Sequence, residues 1–133
     1  MDVSSDKFLQ LQDALKGLFI SAMLSTKFCY ESLFEEGGDE HPEIILPLLN
    51  DATSSVNTMR AIYITFYDDI AHQEFDEFFQ HFDVFKDEVL TNFRTNHSHQ
   101  WSSIEYTRMI EWAMDLAGLL AIKDPEFLKA KVE

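Results

Sequence analysis

The stretch DDIAHQEFDEFFQHFDVFKDEV, residues 68–89, sets five phenylalanines and eight carboxylates around one lysine, Lys86. At about 100° per residue, Phe75, Phe78, Phe79, Phe82, Phe85, Val89 and Phe93 fall within an arc of roughly 120°, the width of a core-facing helical stripe. The spacing predicts a helix whose rings turn inward. Asp76, Asp83 and Asp87 share one flank of that helix, while Glu74, Glu77, His81 and Glu88 line the other. One buried face is thus bordered by two acidic margins.

Working outward, the same periodicity recurs on both sides. Over residues 5–36 the apolar positions Phe8, Leu11, Leu15, Leu18, Ala22, Cys29 and Leu33 are spaced by threes and fours with Ser25 interrupting the seam, which predicts a helix of about 48 Å. Gly37-Gly38 should stop it, because glycine enters the left-handed conformation without steric cost. A second helix is expected to begin near Pro47, proline being suited to a first turn, and Leu49, Ala52, Val56, Met59, Tyr63, Phe66 and Ile70 form its stripe. Residues 42–46 are read either as a separate turn or as an extended lead-in. After a polar connector over residues 92–99, Ser102 and Glu105 have capping-box spacing. They precede a helix carrying Met109, Trp112, Ala113, Leu116, Leu119 and Leu120 and ending near Ile122 or Lys123. Asp124 and Pro125 then start a short last helix. No segment alternates in strand fashion. The expected architecture is a single all-α domain, an antiparallel four-helix bundle with a short C-terminal helix.

At 133 residues and 46% hydrophobic content, the chain can bury a core without a metal or disulfide. The lone Cys29 fits a reducing compartment, so a cytoplasmic location is expected. Asp2 and Asp6 stand where a secretory signal would carry positive charge. The most apolar run, residues 17–24, falls short of the ~20 residues a bilayer span needs. The net charge is −14, and residues 31–88 hold fifteen acids against two bases, Arg60 and Lys86. All but one unit of the net charge therefore lies in that window. Such a field repels nucleic acid and anionic membranes and steers basic proteins inward.

Few residues suggest chemistry. His72/Asp76 and Glu77/His81 are one helical turn apart, as two metal ligands would be, but the Glu-x-x-His pairs of a di-iron bundle are absent, Asp69-x-x-His72 being the nearest approach. His97-x-His99 suits adventitious zinc at most, and neither a metal nor a cofactor is expected. Cys29 lies on an inward stripe and reads as a small hydrophobe. Arg94-Thr95-Asn96-His97-Ser98-His99 has Arg-x4-His spacing between two helices and resembles the signature of HEPN-type ribonucleases. That resemblance covers six residues and implies that Arg94 and His99 would act together on an RNA phosphate. Thr95 stands where the family carries Asn, Asp or His, and the acidic charge opposes a polyanionic substrate.

The leading expectation is a non-enzymatic inhibitor of a basic protein. It would be an immunity protein or antitoxin for a nuclease toxin, or a phage anti-defence protein that mimics the charge of DNA before a nucleic-acid-binding target. Glu35, Glu36, Asp39, Glu40, Asp68, Asp69, Asp76, Glu77, Asp83 and Asp87 are the expected contacts, with Tyr30, Phe34, Tyr67 and Phe79 as aromatic anchors at the stripe margins. Asp76 to Asp87 spans about 16 Å along one helix edge. The alternatives are the HEPN-like ribonuclease and a helical adaptor or homodimerisation module, since heptad-like stripes serve bundles and dimers alike.

Overall fold

The computed structural model describes residues 3–34, 41–95 and 99–128. Its elements are α1 (Val3–Leu33), α2 (Pro42–Thr65), the short α3 (Tyr67–Ile70), α4 (Gln73–Thr95), α5 (Gln100–Leu119) and a 3₁₀ turn (Pro125–Leu128). No strand occurs among the described residues, so the fold they form is all-α. The expected stop at Gly37-Gly38 lies outside the described residues.

The α4 rings do turn inward. Phe75, Phe78, Phe79, Phe82, Phe85 and Val89 are buried, and Phe78 meets Phe19 of α1 edge-on at 5.3 Å between centroids. α1 lies along α2 and α4 along α5. Across the two pairs, Gln12 Nε2 donates to the Leu119 carbonyl at 3.4 Å and the Tyr30 hydroxyl to Ser103 Oγ at 2.9 Å. Tyr30 stacks on Tyr106 with centroids 4.0 Å apart and rings 2° from parallel, and the Tyr106 hydroxyl donates to the Leu128 carbonyl at 3.1 Å. The last turn is thereby tied to the seam between α1 and α5.

Several boundaries differ from the sequence reading. α2 starts at Pro42, with His41 as its N-cap, and runs through Pro47. Two prolines compete for the first helical position. The earlier one takes it because the turn it opens buries Ile45 completely and sets Glu43 at the positive end of the helix. Glu43 is held below its ordinary value by the backbone hydrogen bond at its own position and by His41. Pro47 lies on the solvent side, where its missing N–H costs least.

The stripe through Ile70 is likewise not one helix. Phe66 closes α2 with its amide on the Ile62 carbonyl, and its own carbonyl accepts the Asp69 and Ile70 amides at 2.9 and 3.1 Å to open α3. Ile70 still reaches the core, and Tyr63 secures the corner by donating to the His72 carbonyl (3.1 Å) and accepting from the His72 amide (3.2 Å).

At the other end of α4, the helix extends to Thr95 and absorbs much of the expected polar connector. The capping box does not form, because α5 begins at Gln100 with His99 as N-cap. Ser102 is instead buried inside the helix, receiving Asn92 Nδ2 at 3.4 Å, and Glu105 pairs with Arg108 at 3.1 Å. α5 ends earlier than expected. The Ala121 amide returns to the Gly118 carbonyl and the Ile122 amide to the Ala117 carbonyl, a 5→2 and 6→1 pair that closes the helix in a Schellman motif. The expected last helix is the 3₁₀ turn, whose Leu128 is buried.

Candidate protein-docking surface

Six of the expected acidic contacts lie among the described residues, two on α3 and four on α4. Asp68, Asp76 and Asp87 are exposed, and Asp69, Glu77 and Asp83 are half-buried. Asp83 is neutralised by Arg60 of α2 at 3.0 Å, and Glu77 lies 3.5 Å from His81 one turn along the same helix. Among the described residues, Asp68, Asp69, Asp76 and Asp87 have no cationic partner. Uncompensated carboxylates on a rigid helix keep their field available to an approaching molecule. Glu35, Glu36, Asp39 and Glu40 lie outside the described residues.

The expected aromatic anchors divide. Phe34 and Tyr67 are exposed, at 40% and 48% of their full surface. Tyr30 and Phe79 are core residues, Tyr30 drawn in by its stack on Tyr106 and Phe79 covered by Arg60, whose guanidinium carbon sits 5.1 Å over the ring. Neither offers its face to a partner.

Between α2, α3 and α4 the surface sinks into an open groove of about 400 Å³. Tyr63 and Phe79 form its floor. Ile64 and Tyr67 stand at its rim, and Asp76 and Asp83 flank it on the α4 side. Tyr63 meets Tyr67 edge-on at 5.3 Å and Phe79 at 5.6 Å. Burial pushes the Tyr63 phenol up to about 12, the hydrogen bond with the His72 backbone opposes that shift, and the Asp76 charge adds to it. The contributions of Arg60, Tyr63 and Ile64 were missed in the sequence. Arg60 carried a signal: a lone arginine four positions before Ile64 and amid so many acids is expected to be held by one of them.

The other candidate centres do not assemble in the same way. Arg94 is exposed in the last turn of α4, whereas His99 is buried with its ring 4.6 Å from that of Phe93. Asn96, His97 and Ser98 lie outside the described residues. Cys29 is fully buried, and burial pushes its thiol up to about 12, which keeps it protonated and unreactive. Among the described residues no group of three His, Cys, Asp or Glu side chains is placed to hold a metal ion, and no helix is long and apolar enough to cross a membrane. Comparison with protein families, with characterised proteins and with solved structures finds no match to this chain.

Proposed function

We propose that this protein is a non-enzymatic binder that occupies and inhibits a basic protein, of the kind an immunity protein, an antitoxin or a phage anti-defence protein would be. The observation that carries this reading is the set of carboxylates Asp68, Asp69, Asp76 and Asp87 on α3 and α4, which have no cationic partner among the described residues, together with an exposed aromatic, Tyr67. Carboxylates repeated along a helix oppose a Lys/Arg surface that normally meets phosphates, and they raise the encounter rate at low salt. The burial of the His99 ring weighs against the ribonuclease alternative, which needs that imidazole at an RNA phosphate. A cytoplasmic location belongs to the same proposal.

The support for this surface is an antiparallel arrangement of the four long helices. Contacts between α1 and α5 run in opposite chain order, Gln12 with Leu119 and Tyr30 with Ser103. Those between α2 and α4 do the same, Arg60 with Asp83 and Tyr63 with Phe75. A bundle of this kind holds α4 rigid, so its acids approach a partner with little ordering cost.

The test is affinity capture from a lysate of the native host, with the full chain as bait. Basic proteins retained at about 50 mM salt should be lost by about 500 mM, where screening shortens the range of the field to a few ångströms. The combined variant Asp68→Asn, Asp69→Asn, Asp76→Asn, Asp87→Asn should lose them at low salt, and a control neutralised at Glu111 and Asp115 should not. Capture indifferent to both salt and the fourfold variant would sink the proposal. A second reading, the helical adaptor, draws on Leu24 and Phe28, exposed one turn apart on α1. Sedimentation showing a salt-independent dimer that Phe28→Ser dissolves would favour it.

A further inference from the structure

The groove between α2, α3 and α4 already holds one guanidinium. Arg60 lies over Phe79 at 5.1 Å and donates to Asp83 Oδ1 at 3.0 Å, an aromatic face and a carboxylate acting on one planar cation. The other half of the groove repeats these elements without a cation. Tyr63 and Tyr67 supply rings in edge-to-face contact, Asp76 lies close enough for its charge to act on Tyr63, and no Lys, Arg or His among the described residues pairs with Asp76. Ile64, 67% exposed, adds an apolar rim that nothing among the described residues covers. At about 400 Å³ the groove sits at the low end of the ~300–1,000 Å³ typical of ligand clefts, and its openness suits a side chain entering from outside rather than an enclosed small molecule.

We propose that this half of the groove receives an arginine side chain of the basic partner, with the guanidinium against Tyr67 and paired with Asp76. The inference rests on the inhibitor reading for its partner, but the groove's chemistry is independently measurable. Arginine is favoured over lysine because a planar, weakly hydrated fork can both stack on a ring and pair with a carboxylate, whereas an ammonium holds its water more tightly. The excess of acids around the groove supplies the charge complementarity. Aspartates 68 and 69 follow Tyr67 directly in α3. The internal Arg60 shows the geometry that an incoming arginine would copy about two turns away along α4, at Asp76 rather than Asp83.

The experiment is a chemical-shift titration of the isotopically labelled full chain with two capped tripeptides, acetyl-Gly-Arg-Gly-amide and acetyl-Gly-Lys-Gly-amide. Saturable shifts are expected at residues 63–67 and 76–79, with the arginine peptide binding at least about threefold more tightly than the lysine peptide. Tyr67→Ala and Asp76→Asn, both at exposed positions, should each weaken it by about twofold to fivefold. Asp115→Asn, on α5, removes the same charge elsewhere and should leave the affinity unchanged. Equal binding of both peptides, absence of a saturable shift, or an Asp115→Asn loss matching that of Asp76→Asn would each overturn the assignment. Salt-sensitive capture of a basic partner by Tyr67→Ala at full strength would remove the groove while leaving the inhibitor proposal standing. Arginine-selective shifts in a protein whose fourfold variant captures the same proteins would do the reverse.

Discussion

Ala121 sits at φ 62, in the left-handed region, at the position where a Schellman motif most favours glycine. Its methyl group clashes with the neighbouring carbonyl there, a cost of roughly 1–2 kcal/mol that glycine does not bear. Part of that gain is offset because glycine frees the unfolded chain. Ala121→Gly should therefore stabilise the protein by about 1 kcal/mol, read as a rise in the chemical denaturation midpoint. A fall would mean that the strain is absorbed elsewhere. Titration of buried groups gives a second prediction at this scale. Burial raises Cys29 to about 12 and Tyr63 to about 12, and raises Tyr106 as well. In the unfolded chain these groups ionise at ordinary values, so between those values and the folded ones the folded state binds more protons and stability falls with rising pH. The stabilisation is complete below about pH 9 and is lost as pH climbs toward about 12, Cys29 first and the tyrosines from about pH 10. Cys29→Ala should flatten the decline between about pH 9 and 10, whatever it costs in packing. An unchanged slope would show that the thiol is not its source.

At the scale of elements, Pro47 lies inside α2 rather than at its start. Replacing it with alanine restores an amide for the Glu43 carbonyl and removes the ring's clash with it, while losing proline's restriction of the unfolded chain. Because Pro47 is exposed, little packing changes, and Pro47→Ala should raise stability by about 1 kcal/mol. Thermal unfolding that moved down instead would indicate that the proline shapes the turn burying Ile45. These cases also show what the sequence made legible. Periodicity placed the α4 stripe and the long helices because burial obeys a repeat that a long window averages well. Helix ends obey local competition. Pro42 against Pro47 and Ser102 against His99 are settled by which choice buries Ile45 or lets Asn92 reach Ser102, and neither contact is visible in neighbouring letters. Thr26 was invisible for a related reason. A threonine on a core face is tolerated because its hydroxyl returns to the Ala22 carbonyl at 2.7 Å. Of the candidate surface, the acids of α3 and α4 were legible as a charge run, but the groove was not, since it is made where Arg60 and Tyr63 of α2 meet Asp83 and Phe79 of α4.

For the whole molecule, the net charge of −14 opposes compaction and, in the proposed inhibitor, serves attraction at the same time. Screening relieves the first and weakens the second. The melting temperature should rise as salt is added from about 10 to 200 mM, over the same range in which the proposed association with a basic partner should slow. The fourfold asparagine variant should melt higher than the parent at low salt while binding less. A variant that melted lower would mean that these carboxylates stabilise the fold. The arrangement of contacts also bears on how the chain assembles in time. α1 with α2 and α4 with α5 are each neighbours in sequence, and such local pairs close their loops quickly. The Tyr30–Tyr106 stack joins positions far apart in the chain. It cannot form until the two hairpins have met, so in kinetic measurements a weakened stack should leave the folding rate nearly untouched and hasten unfolding. On that ordering, the 3₁₀ turn held by Tyr106 is the last piece to settle and the first to let go.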